Sequence, residues 1–154
     1  MKFNMTIAGL SLFFVALNVG CAEQILPMKL VYSANNCVIE QKAITKIRDK
    51  QALVELFRSR SRLFPFDENS TPSVDFSEQQ LILVAAGRKP TNGYRIEWLD
   101  TEARVKNGKL FLPVRIITPP EKTTQAQVFS SPCQIISIPK RRFDTIVMGG
   151  LSGK

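Results

Sequence analysis

The chain has 154 residues, with 21 Lys and Arg against 13 Asp and Glu and a formal net charge of +8, which suits one compact domain with a short appendage. It contains no histidine, which excludes Ser-His-Asp and Cys-His catalysis, His-Cys zinc sites and haem held by His. Hydrophobic residues at 44% and charged residues at 22% belong to a folded domain and not to a disordered one.

Residues 1–20 read as a secretion signal. Lys2 supplies a positive n-region, and Ile7 to Leu17 is an apolar run too short to span a bilayer as a helix. Gly20 precedes Cys21, in the manner of a bacterial lipobox in which Cys21 becomes the lipidated first residue. Asn18 stands where a lipobox usually has leucine, so ordinary cleavage after Ala22 is the alternative. Losing residues 1–20 removes one cation and no acid, which leaves +7. Localisation is then the bacterial cell envelope, lipid-anchored and facing the periplasm or the surface, or else soluble and exported.

Residues 21–27 follow as a tether, and residues 28–148 as a single β-rich domain. Met28 to Ser33 is a predicted strand, and Ala34, Asn35 and Asn36 form a turn. Cys37 to Ile47 alternates loosely and is read as a strand. Asp49 is an N-cap for an amphipathic helix over 50–60, in which Leu53, Leu56 and Phe57 recur at helical spacing. Residues 63–73 form a loop with Pro65 and Pro72, and Ser77 is placed to cap a short turn. Leu81 to Ala86 is a continuous apolar run, read as a central strand buried on both faces.

A polar loop from Gly87 to Gly93 leads into the half-buried strand Tyr94–Leu99, with Tyr94, Ile96 and Trp98 on one face. Asn107-Gly108 suits a type I′ turn between arms at 103–105 and 110–117. Strands over Cys133–Ile138 and Thr145–Met148 complete the domain, and 149–154 is a loose tail. The expected fold class is α+β, mainly antiparallel β in a sandwich- or barrel-like sheet, with one amphipathic helix near the N-terminal side.

Chemistry-bearing patterns are sparse. No cysteine or carboxylate cluster has metal-ligand spacing, so no metal and no cofactor is expected. Ser137 and Lys140 have S-x-x-K spacing, but Pro139 lies inside the motif and a strand pattern precedes it, so the match is one of chance. Asp67 and Glu68 are adjacent and read as a solvated loop. Arg58, Arg60 and Arg62 complement a helix dipole. Lys140, Arg141 and Arg142 form a solvated turn or a contact for acidic lipid or a partner. Nucleic acid is not an expected partner of an exported chain. With Cys21 set aside, Cys37 and Cys133 form a disulfide or are two separate buried thiols. Lys89, Pro90, Thr91, Asn92, Gly93 and Tyr94 form a shaped, exposed turn, as Pro90 fixes one φ and Asn92-Gly93 tolerate positive φ. Such a turn presents a protein-binding surface, and a plain hairpin connection is the simpler reading.

Val74-Asp75-Phe76-Ser77, the apolar run from Leu81 to Gly87, and Lys89 to Tyr94 together resemble the C-terminal domain of the PrcB family of protease complex subunits. Ser131-Pro132 through Ile138-Pro139 resembles that family's later S-P-x-x-I-x-x-I-P segment, and Gln125 stands where the family often has Thr-Gln. Asn92 departs from the first glycine of the family turn. The resemblance covers residues 44 to 148. It implies an exported, often lipid-anchored, non-catalytic subunit that binds and stabilises an exported protease or another envelope protein. Lys89 to Tyr94 is also similar to the N-P-T-T-G-Y loop of chagasin-like inhibitors, which implies protease inhibition as an alternative. A module for anionic lipid or cell-wall polymer is a third reading, from the positive charge.

Overall fold

Why the run from Leu81 to Ala85 is apolar at every position is answered by what lies on its two sides. In the computed structural model, which describes residues 22–59, 71–120 and 127–149, the strand β4 (Gln79–Ala85) is buried along nearly its whole length. Its even positions Ile82 and Val84 pack with Ile136, Leu110, Leu112 and Val105. Its odd positions Leu81, Leu83 and Ala85 pack with Ile135, Ile47 and Leu53. Alternation vanishes because both faces of the strand are covered.

Two antiparallel neighbours, one on each side, flank it. β2 (Lys29–Ala34), β9 (Cys133–Pro139), β4 and β3 (Ala43–Ile47) form one sheet in that order. A second sheet is ordered β1 (Gln24–Pro27), β6 (Glu102–Lys106), β7 (Lys109–Leu112) and β10 (Thr145–Met148). β5 (Arg95–Trp98) and β8 (Val114–Ile117) pair as a short ribbon. The helix α1 (Lys50–Arg58) covers the outer face of the first sheet through Leu53, with Leu56 and Phe57 beside it. The expected α+β class, mainly antiparallel with one helix, is what the structure shows. Among the described strands, β7 and β10 pair in parallel.

Several elements differ from their expected limits. The stretch 22–27 is not simply a tether, because Gln24–Pro27 pairs with β6 and Leu26 is only 3% exposed. Chain pairing with a partner almost 80 positions away leaves no local signal beyond one leucine. Of 37–47, only Ala43–Ile47 is strand. The arm expected over 110–117 breaks at Pro113, which cannot donate to a ladder. The chain leaves β7 there and pairs with β5 as β8. The turn between β6 and β7 has Asn107 at φ 50° and Gly108 at φ 71°, as type I′ requires. Asp49 accepts a bond from the Ala52 N–H at 2.8 Å and caps α1. At the next turn the capping group is the Asp75 carboxylate, which accepts from the Ser77 N–H and hydroxyl, so Ser77 is the donor there.

Candidate functional site

The turn from Lys89 to Tyr94 begins where β4 leaves the core. Gly87 is buried with φ +77°, and a Cβ there would lie 2.6 Å from the Lys42 amide nitrogen. Only glycine fits so close a backbone crossing. Beyond it, Lys89 exchanges two backbone bonds with Ser130, at 2.7 and 3.1 Å. The Ser130 hydroxyl donates to the Thr91 carbonyl at 2.8 Å. Pro90, Asn92 and Gly93 are exposed, and Thr91 and Tyr94 are half-buried. The Lys89 ammonium sits 5.4 Å from the Tyr94 ring centroid. The turn is therefore braced on a second segment and is not a free hairpin tip.

That second segment brings apolar surface. Val128 and Phe129 are 61% and 60% exposed, and the Arg88 guanidinium stacks 4.1 Å from the Phe129 ring centroid. A third segment completes the surface. Val38 is 43% exposed and holds φ +54°, a region that β-branched residues almost never occupy. Its neighbours clamp it there. Cys37 is bonded to Cys133, with Cα atoms 5.9 Å apart. The Cys37 N–H donates to the Ser131 carbonyl at 2.8 Å. Ser131 Oγ donates to Ile39 O at 2.8 Å and accepts from Ile39 N–H at 3.0 Å. Val38, Arg88 and Phe129 line a hollow of about 190 Å³. That is below the ~300 Å³ of small-molecule pockets and matches one or two inserted side chains.

Arg88 falls in the polar loop 87–93 but outside the expected Lys89–Tyr94 surface, and Val38, Val128 and Phe129 belong to no motif of the sequence. The φ of Val38 has no sequence signal, and the residues before Phe129 show neither helical nor alternating spacing. Other expected features fall elsewhere. Ser137 is buried in β9 and donates to Gln79 Oε1, while Lys140 donates to the Phe76 carbonyl, so their S-x-x-K spacing brings no nucleophile to a base. Cys21, Arg60, Arg62, Asp67, Glu68 and Gln125 lie outside the described residues. Among the described residues, no three His, Cys, Asp or Glu side chains gather where a metal ion could be held.

The β-domain thus sets a braced turn beside exposed aromatic surface. Residues 81–139 match the family model described as PrcB C-terminal. The match takes in β4, the turn, the β6–β7 hairpin and β9, and is narrower than the 44–148 over which the sequence resembles the family. No curated protein and no solved structure gives a match.

Proposed function

We propose that the chain is a non-catalytic, lipid-anchored envelope subunit that binds an exported protease or another envelope protein. The match of residues 81–139 to the PrcB C-terminal family model supports a role like that of a protease complex subunit. The observation that carries the contact surface is Phe129, held 60% exposed against the braced Lys89–Tyr94 turn. Exposed aromatics in a fixed frame lose little entropy on binding, which is why they recur as anchors of protein contacts. Cys21 is the lipid attachment point in this reading.

The test is co-purification from envelope extracts with wild type, Phe129→Ser and Lys89→Glu. Phe129 is exposed and Lys89 half-buried in a loop, so the variants are expected to keep their fold, checked by circular dichroism. The expected result is loss of the wild-type partner in both, with a protease or its propeptide among the proteins lost. Folded variants that retain the same partners at the same yield overturn the assignment. A direct inhibitory role is favoured by one observation, the bracing of the turn by Ser130 on two sides, since a rigid loop fits a protease cleft. Micromolar inhibition of a cysteine or serine protease, lost in Lys89→Glu, separates this reading from scaffolding.

A further inference from the structure

The end of β4 away from that turn carries a different surface. There β9 runs out at Pro139 into Lys140, Arg141 and Arg142. Lys46, near the end of the edge strand β3, lines one hollow with these three cations and Phe143. Arg48 lines an adjoining hollow that shares Lys46 and Lys140. Among the described residues, none of these five cations makes an ion pair. Asp144 stands at the rim, and Asp75 lies within the field of Lys140. Burial, then Lys140 and Arg48, hold the Lys46 ammonium below the usual lysine range. The crowded charge is also held in place. Lys140 N–H donates to Glu78 O at 2.8 Å, and the buried Gln80 amide donates to Arg141 O at 3.2 Å. Five cations on a backbone held in place, facing only two carboxylates, bind an external anion by relieving their own repulsion.

The path of the chain says which anion surface is near. Glu23 pairs with Arg104 and Lys106, the latter just before the Asn107-Gly108 turn. The carbonyl of Gly108 accepts bonds from the Asp144 and Thr145 N–H groups. Residue 23 and the basic loop 140–144 therefore flank the same hairpin, and Cys21 is two residues before Glu23. We propose that this basic end docks on a bilayer surface carrying anionic phosphate headgroups. The Lys89–Tyr94 turn then stands at the far end of the seven-residue β4, about 20 Å further out at roughly 3.3 Å per residue. The proposal rests on the exported, membrane-anchored reading above. An N-terminal tether alone leaves the domain free to rotate, and a basic patch beside the tether fixes which end faces the lipid.

The full chain is mixed with vesicles of phosphatidylcholine containing roughly one third phosphatidylglycerol and, separately, with phosphatidylcholine alone. Taking the ratio of the two partition constants cancels any apolar contribution from residues 1–20. Wild type is expected to prefer the anionic vesicles, with the preference lost at about 0.5 M salt. Arg141→Gln/Arg142→Gln is expected to lower the ratio by roughly fivefold per cation. Lys42→Gln/Arg95→Gln removes the same charge at the opposite end and is expected to keep most of the preference. Circular dichroism confirms that all three chains are folded. Four results overturn the proposal: no anionic preference in wild type, equal loss in both double variants, abolition of vesicle binding by a few millimolar inorganic phosphate at constant ionic strength, and tighter binding to polyglutamate than to vesicles. None of these readouts involves a protease, so failure here leaves the protein-binding assignment to its own test.

Discussion

At Val38 the chain holds a conformation that its own side chain disfavours. A β-branched residue at φ +54° carries strain of roughly 1–2 kcal/mol, and the disulfide and the Ser131 bonds on either side are what maintain it. Strained residues persist where the surroundings over-determine them, and they gather at working surfaces. Val38→Gly is therefore expected to raise stability by about 1 kcal/mol, seen as a higher thermal midpoint, while weakening partner capture through loss of the exposed isopropyl group. Gly87 is the opposite case. Its φ of +77° and the 2.6 Å approach of the Lys42 nitrogen leave no room for a methyl group. Gly87→Ala is expected to cost about 2 kcal/mol or more, read from denaturant unfolding, because the obstructing atoms are backbone and cannot swing aside.

Individual elements depend on a few polar bonds. The helix α1 is nine residues long, too short to be stable alone, and its first turn is satisfied by Asp49. Asp49→Ala is expected to lower stability by about 1 kcal/mol, with the largest gain in amide exchange at Lys50 to Leu53. In the turn before β4, the Ser77 hydroxyl and then its N–H hold the Asp75 carboxyl below the usual carboxylate range. A carboxyl with a depressed folded pKa favours the fold above its unfolded value, and that contribution fades as pH falls through the folded pKa. Ser77→Ala is expected to return Asp75 toward the ordinary carboxylate pKa, followed by NMR titration. The β5–β8 ribbon is tied to the main sheet by Trp98 Nε1 donating to Gln134 Oε1 at 2.7 Å and Gln134 Nε2 donating to Ile96 O at 3.2 Å. That link joins residues 36 positions apart, and the alternation of Tyr94, Ile96 and Trp98 indicated a half-buried strand without indicating what buried it.

For the whole molecule, one covalent link spans most of the domain. The Cys37–Cys133 bond closes a loop of 96 positions, and cross-links of that length stabilise by about 4–5 kcal/mol in the chain-entropy account. It joins the irregular 36–40 segment to the start of β9, beside Val38, Ser131 and Phe129. Cys37→Ala/Cys133→Ala is expected to lower stability by about 2–5 kcal/mol, measured by denaturant midpoint. It is also expected to loosen the end that carries the Lys89–Tyr94 turn before the basic end. Amide exchange at 36–40 and 129–131 rising ahead of that at 139–145 is the signature; uniform loosening contradicts it. β4 and β9 connect the two ends, so the proposed partner surface and the proposed lipid surface do not overlap.

Local physics alone determined much of this protein. A run of six apolar residues dictated a strand covered on both faces, because no alternating strand buries every position. Asn107-Gly108 dictated its turn, as both residues tolerate positive φ, and Asp49 dictated where a helix starts. The same local pattern around Lys89–Tyr94 marked the turn and the resemblance to the matched family model. What only tertiary structure decided depends on residues far apart in the chain. Gln24–Pro27 becomes a strand because β6 offers it an edge. Pro113 divides one apolar stretch between two sheets. Val38 is forced to positive φ by a disulfide and a serine more than 90 positions away. The basic cluster exists because β3 and the end of β9 flank β4, which puts Lys46 beside Lys140. Sequence spacing sets which backbone conformations are cheap; only long-range pairing sets which side chains meet.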